Sequence, residues 1–448
     1  MFNVSNTFNQ SKQMKPRIFN SLILVLFLLT ANRATAETLH KLAGENPTSF
    51  TIVYDSKAEA EEGQLAAANI NRYFGTCMGK RCTVMSDKDF KKGNAIYLTH
   101  SNPKRNPFEY TIDVTHNTIT IDAGGCWAMQ SAGKWLAETL RNKDIPSRFH
   151  KEGSVEGHTL FGRPRDVNLR ILDDNIWDYS AERLPIEWEK AGIDCRDDHR
   201  APQFAQLVRA YMPDVLCLQE YSKHMHDRFY PLIQKYNYVI SHEGETPAWN
   251  NTPIFYNKEN VEQIESKYNL FVPEKWCNSK TKSFTTAVFR QKNTGKMFGV
   301  VSTHLWWKDD SVQAGSTLAR AAQVRLIMAD VEELKEKYHC PFFVMGDMNS
   351  EENTIPIQQF LQYGYKECYA EATTYGNLDN GHHQCFPYEI GVRRSLRKGS
   401  GRKVGAIDHC LIYNADNNVE IKVFDCIQPY FTVLLTDHYP NLIDAVMK

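Results

Sequence analysis

The stretch PFFVMGDMNS, residues 341–350, places an apolar run, Phe342–Met345, and then Gly346 directly in front of Asp347 and Asn349. A short apolar run closed by a glycine and a carboxylate reads as a buried strand that delivers its last side chains to the rim of a sheet. Side chains alternate along an extended chain, so Asp347 and Asn349 share one side. Gly346 lets the backbone approach a neighbour closely at that point.

The same pattern recurs on either side. LDDNIWDY, 172–179, carries Asn175, and PDVLCLQE, 213–220, ends at Glu220. VVSTHLWW, 300–307, carries His304, while AIDHCLIY, 406–413, and LLTDHYPN, 434–441, supply Asp408, Asp437 and His438. These are the carboxylates, amides and imidazoles that hydrolyse phosphate esters. Most sit at the end of an apolar run or inside one, so residues remote in sequence can converge on one metal and one phosphate.

Between these segments, apolar runs alternate with amphipathic ones. Strands are expected at Val167–Ile171, Asp214–Gln219, Thr285–Arg290, Phe298–Thr303, Phe342–Met345, Ala406–Tyr413 and Val419–Phe424, with helices at Phe204–Tyr211 and Leu318–Lys337. The runs within Thr285–Thr303 and within Ala406–Phe424 lie too close together for parallel crossovers, which implies antiparallel hairpins. The expected fold is α+β: a four-layer α/β-sandwich of two mixed, mainly antiparallel sheets flanked by helices.

At 448 residues the chain exceeds one ordinary core. Residues 166–448 form the expected catalytic domain and 151–165, rich in glycine, the linker. Residues 37–150 read as a small N-terminal α/β domain. Its strands are Phe50–Tyr54 and Ala95–Leu98, with a hairpin of Tyr110–Val114 and Thr118–Ile121 turned at His116-Asn117. Its helices are Ala58–Phe74 and Trp127–Leu140. YTIDVTHNTITIDAGG, 110–125, followed by a helix, resembles the non-catalytic domain that precedes the barrel in β-hexosaminidases and α-glucuronidases, and a generic α/β domain is an equal reading. No acid–base pair stands out in this part.

Residues 1–36 read as an N-terminal extension and an export signal. Lys15 and Arg17 precede the apolar run Leu22–Leu29, and Ala34-Thr35-Ala36 is a small-residue cleavage site. The run is far shorter than the ~20 apolar residues of a membrane span, so no integral anchor is expected and the mature protein is expected to be secreted or periplasmic. Eleven cysteines is an odd count, leaving at least one unpaired. Cys77 and Cys82 are close enough to bridge a turn; Cys217 and Cys410 lie in apolar runs as buried thiols. No pair has the spacing of a structural zinc site. A net charge of −1 argues against binding nucleic acid by charge alone. No obligate protein partner is indicated.

In order and content, the series N, QE, TH, GDMN, ID and TDH resembles the endonuclease/exonuclease/phosphatase superfamily, over about Val167 to Val446. The resemblance implies that Glu220 is the principal ligand of Mg²⁺ or Mn²⁺, with Asn175 beside it and Asp437 touching a metal or shaping the rim loop. Hard oxygen ligands suit such ions. It pairs His438 with Asp408, a carboxylate fixing the tautomer of an imidazole, and places His304 on the opposite side of the phosphate. Asp347 and Asn349 position the attacking water and hydrogen-bond the phosphate. His409, next to Asp408, is expected to point the other way. Asp173-Asp174 departs from the family pattern; a second metal is one reading and solvated side chains the expected one.

For substrate, Arg393, Arg394, Arg397, Lys398, Arg402 and Lys403 crowd a loop before Asp408 and suit an anion-binding lip. Trp306 and Trp307 suit stacking on a base, a sugar or a lipid head group, with one of them expected to pack in the core. The expected activity is a Mg²⁺-dependent phosphodiesterase or nuclease. Its substrate is a phosphoester: nucleic acid, a phospholipid head group or a phosphorylated glycan. A phosphomonoesterase, a sphingomyelinase-like enzyme, and a non-catalytic glycan- or anion-binding protein are the rivals.

Overall fold

The computed structural model describes residues 40–56, 60–102, 104–155, 162–178, 196–245, 248–271, 281–375, 406–427 and 435–448. The candidate export signal, the basic loop Arg393–Lys403 and Cys195, Cys277 and Cys385 lie outside these residues.

The first part of the chain builds a six-stranded sheet from β1 (Thr51–Tyr54), β2 (Thr83–Ser86), β3 (Ala95–Thr99), β4 (Glu109–Thr115), β5 (Thr118–Ala123) and β6 (Arg148–Ser154), in the order β2-β1-β3-β5-β4-β6. In β4 the sequence EYTIDVT alternates, and Tyr110, Ile112 and Val114 are its buried residues. Helices α1 (Ala60–Met78) and α2 (Cys126–Asn142) bury Ile70 and Phe74 with Trp127, Leu136 and Leu140. A Cβ on Gly133 of α2 would lie 2.3 Å from Ile70, so the absence of a side chain there lets the helices touch. The expected linker begins later than its glycines suggested. Residues Lys151–Ser154 belong to β6, which pairs with β4.

The rest of the described chain builds two larger sheets. The first contains β7 (Leu169–Asn175), β8 (Val215–Gln219), β9 (Tyr238–Ile240) and, after a two-stranded hairpin of β10 (Gly244–Glu245) and β11 (Ala248–Trp249), β12 (Ile254–Asn257). The second contains β13 (Val261–Leu270), β14 (Ser283–Gln291), β15 (Met297–His304), β16 (Phe342–Asp347), β17 (Tyr365–Glu367) and, after β18 (Thr374–Tyr375), β19 (Asp408–Tyr413). β20 (Val419–Cys426) and β21 (Asn441–Met447) return to the first sheet. The orders are β18-β20-β21-β7-β8-β12-β9 and β13-β14-β15-β16-β19-β17.

Alternation along the strands sorts side chains between layers. Phe343 and Met345 of β16 enter the core between the two sheets, where they join Ile171, Cys217, Phe289 and Ile443. Phe342 and Val344 join Val324, Ile327 and Val331 of α5 (Ser316–Tyr338) and Ile357 of α6 (Ile355–Gln362) on the outer face. Leu172, Leu216 and Leu218 face α3 (Asp197–Tyr211) and α4 (Lys223–Gln234) on the other side. The result is the four-layer sandwich. The cluster under α3 and α4 continues into the N-terminal part, where Phe108 meets Tyr211 at a ring separation of 5.7 Å.

Three expectations are corrected. β14 and β15 form the expected antiparallel hairpin, but β19 and β20 do not pair; each joins a different sheet. Cys410 and Ile412 of β19 and Ile421 and Phe424 of β20 share the core between the sheets, so the short connection turns across that core. β7 runs on past Ile171 to Asn175, which carries Asp173 and Asp174 into the strand and buries both, so neither is solvated. Cys77 and Cys82 are both free thiols and do not bridge the turn. Among these residues no helix is long and apolar enough to cross a membrane.

Candidate active site

Strand register assembles the site. His304 ends β15, Asp347 ends β16 and Asp408 begins β19; His304 pairs with Asp347, and Asp347 with Asp408, across neighbouring strands. In the facing sheet Asn175 ends β7 opposite Gln219, and Glu220 follows directly. Both sheets therefore deliver their polar ends to one rim. The tightness of the rim explains Gly346: its φ is 137°, and a Cβ there would meet the carbonyl oxygen of Thr303 at 2.0 Å. Glu220, Asn349 and Trp177 have φ of 56°, 46° and 57°, a left-handed conformation that non-glycine residues adopt at a cost and that turns their side chains into the rim.

A cavity of about 450 Å³ opens there, lined by Glu220, His304, Asp347, Asn349, Asp437 and His438 together with Trp177, Lys282 and Trp307. Asp347 is its centre. Its Oδ1 accepts from the Asn349 amide at 2.9 Å and its Oδ2 from Asn175 Nδ2 at 2.9 Å. Oδ2 also lies 3.4 Å from His304 Nε2 and 3.8 Å from His438 Nε2. Burial, and then the charge of Asp408, push its carboxyl up to about 6. Burial likewise lifts Asp437 to about 6.

His438 Nδ1 bonds to Asp408 Oδ2 at 2.7 Å. Burial opposes the charged ring, but the Asp408 carboxylate behind it holds the imidazole well above its ordinary range. His304 behaves oppositely. Burial, and then the ammonium of Lys282, hold it well below that range. Lys282 Nζ lies 3.1 Å from its Nδ1 and contacts Nε2 as well. An ammonium has donors only, so the ring nitrogen facing it must offer a lone pair. His304 is thus held neutral.

Of the expected metal residues, Glu220 clusters with others: its carboxylate, His304 and Asp347 offer ligand atoms within 4.8 Å of one another. Because Lys282 engages the ring of His304, the oxygens of Glu220 and Asp347 are the better ligands. Two carboxylates in a buried, repulsive site suit a hard divalent cation that keeps several waters. The Oδ1 of Asp437, buried without a hydrogen-bond partner among the described residues, adds to this excess of acceptors. Asn175 is differently placed from the expectation. Its Oδ1 accepts from Trp177 N at 3.0 Å, and its amide nitrogen reaches Glu220 Oε1 at 3.4 Å as well as Asp347. It orients the two carboxylates and turns its oxygen away from them.

Trp306 is also corrected. It is buried, with its indole nitrogen bonded to Ser316 Oγ at 3.3 Å, so the ring at the cavity is that of Trp307, which is 57% exposed. His409 points away, to Glu367 and the Ser350 carbonyl. Asp173 bonds to Gln219 at 2.8 Å, while both carboxyl oxygens of Asp174 are buried without a hydrogen-bond partner among the described residues. Burial raises both carboxyls well above the usual range.

Sequence reasoning missed Lys282, Asp178 and Arg200. Asp178 donates its backbone N–H to Glu220 Oε2 at 2.9 Å. Arg200, buried on α3, donates to the carbonyls of Trp177 at 2.7 Å and Leu435 at 2.8 Å, tying the segment that follows Asn175 to the one that leads into His438. Lys282 left only a faint signal, as one of two lysines, with Lys280, shortly before the strand-like run Thr285–Arg290.

The family model described as the endonuclease/exonuclease/phosphatase family matches residues 193–438. A probable 3′-5′-exoribonuclease subunit Ccr4 of the CCR4-Not complex from Enterocytozoon bieneusi is 24% identical over 215 residues, covering 42% of this chain and 43% of that protein. The match therefore spans less than half of that relative. Similar solved structures include an endonuclease/exonuclease/phosphatase from Bacteroides vulgatus, with 20% identity and a TM-score of 0.47 over 62% of this chain and 99% of the other. A mannosyl-6-phosphatase from Bacteroides thetaiotaomicron has 18% identity and a TM-score of 0.46 over 62% and 99%. The catalytic domain of human Nocturnin has 17% identity and a TM-score of 0.43 over 64% and 97%.

Proposed function

The chain belongs to the endonuclease/exonuclease/phosphatase family of metal-dependent phosphoesterases, and from that premise we propose that it is a secreted, Mg²⁺-dependent phosphodiesterase or nuclease. The observation that carries the reading is the register of His304, Asp347 and Asp408 across three neighbouring strands, with Glu220 and His438 at the same cavity. A buried rim of this kind holds its groups in place before substrate arrives.

A divalent cation at Glu220 and Asp347 would supply positive charge to the phosphoryl oxygens and lower the barrier to attack by water. Asn175 holds those two carboxylates in place. His438, oriented by Asp408, is the group that exchanges a proton with water or the leaving oxygen. Asn349, braced by its Nδ2 on the Leu305 carbonyl at 3.2 Å, hydrogen-bonds the phosphate. The exposed face of Trp307 offers a stacking surface for a base, sugar or head group, with Lys308 5.6 Å from its ring centre. The positive charge of Arg393–Lys403 suits an anionic substrate, and residues 37–150 are read as an accessory unit.

The test is hydrolysis of bis- and mono-p-nitrophenyl phosphate, plasmid DNA and sphingomyelin with added Mg²⁺. The diester or DNA should be cleaved, and Glu220→Ala should abolish cleavage while leaving the fold intact; excess Mg²⁺ should partly rescue Glu220→Gln. Near-normal turnover of Glu220→Ala at low Mg²⁺ would move the cation elsewhere, and preference for the monoester would make the enzyme a phosphatase.

A further inference from the structure

Any ester entering this cavity brings a negatively charged phosphoryl group against a wall of carboxylates. Lys282 is the one lysine or arginine lining that wall among the described residues. We propose that Lys282 is the phosphoryl-binding cation of the site, placing its ammonium on a non-bridging oxygen of a phosphate ester and bracing the ring of His304. This rests on the phosphoesterase reading of the cavity.

The position follows from register. Ser283 of β14 pairs with His304, which in turn pairs with Asp347, so Lys282, one residue before Ser283, leaves the sheet at the same rim as both. The side chain lines the cavity and is only 5% exposed. Its Nζ lies 3.1 Å from Nδ1 of His304.

Charge arithmetic points the same way. Asp347 Oδ2 is 3.4 Å from His304 Nε2, on the ring that Lys282 contacts, so the ammonium and the cation site share one neighbourhood. A divalent ion on Glu220 and Asp347 draws on the carboxylate charge that otherwise balances the lysine. Two cations so close repel unless an anion lies between them, and a phosphoryl group with several charged oxygens is the anion the site exists to take.

Lys282→Met, Lys282→Gln and Lys282→Arg separate charge from shape. Binding of inorganic phosphate to Mg²⁺-loaded protein, read by calorimetry, should weaken about 10- to 100-fold in the Met and Gln variants, the worth of one charged hydrogen bond. Lys282→Arg should keep most of the affinity, and without phosphate the Met and Gln variants should bind Mg²⁺ at least as tightly as the parent, since a neighbouring positive charge is gone. Turnover of bis-p-nitrophenyl phosphate should fall in the same order. Parental phosphate affinity in Lys282→Met, or equal loss in all three variants, would reduce Lys282 to a prop for His304. A parent that binds phosphate through Lys282 but hydrolyses no ester would overturn the phosphoesterase reading and leave the anion site standing.

Discussion

Asp347 and Asp408 are direct cross-strand partners at the rim of the antiparallel pair β16 and β19, and both are buried. Like charges directly opposite one another oppose folding. They are tolerable here because each meets hydrogen-bond donors, Asn175 and the Asn349 amide on one side and His438 on the other. The arrangement stores electrostatic free energy that a cation or a proton releases.

Asp347→Asn should therefore stabilise the metal-free protein and cripple the enzyme. The Asp347 carboxyl is raised from 3.8 to about 6, so its stabilising contribution is complete below about pH 4 and is lost as pH rises through 6. At pH 7.5 with chelator, the variant should gain on the order of 2–3 kcal/mol over the parent in urea unfolding, shrinking toward zero near pH 4. Saturating Mg²⁺ should stabilise the parent and not the variant, since a ligand stabilises only the state that binds it. A variant no more stable than the parent at pH 7.5 would show that the two carboxylates are already balanced.

His438 and Asp408, 2.7 Å apart, should act as one unit. His438→Ala and Asp408→Ala should each lower kcat by roughly two to four orders of magnitude, the usual worth of a positioned acid–base group. The double variant should lie within about tenfold of the worse single one, since losses within a catalytic unit do not add. Asp408→Asn should behave like Asp408→Ala, because an amide offers no charge to hold the imidazolium. Losses that multiply across the double-mutant cycle would separate the two residues.

The carboxylates and the His304 imidazole of this site were legible because strand ends are legible. Glu220, His304, Asp347 and Asp408 each border an apolar run, and a run that stops at a polar group marks the edge of a layer. Partnership between strands was less so. The runs at β19 and β20 look like a hairpin, and nothing local says that the chain turns across the core to the other sheet. Asp173 and Asp174 were misread for a sound reason, since burying a carboxyl is costly and adjacent acids normally seek water. Here β7 continues through them, and burial pushes both carboxyls well above the usual range, which favours their uncharged form. Trp306 and Trp307 are neighbours on the chain, and their identity alone does not say which one faces out. Lys282 lacked a motif, because a lysine shortly before a strand carries no period or spacing of its own.

The last relationship to test lies behind the site. His409 is buried, with Nδ1 2.5 Å from Glu367 Oε1 and Nε2 2.7 Å from the carbonyl of Ser350. Both partners are acceptors, so both ring nitrogens must carry protons and the ring is an imidazolium. Burial works against that charge, but the Glu367 carboxylate and its hydrogen bond raise the ring from 6.5 to about 9. The stability this pair contributes is fully present below about pH 6.5 and is lost as pH rises through 9. Over that interval the parent should lose on the order of 3 kcal/mol that His409→Gln, unable to titrate, does not lose. Urea unfolding of both proteins from pH 6 to 9.5 reads the difference directly. Parallel stability curves would mean that the ring is neutral at pH 6 and that Glu367 holds the proton.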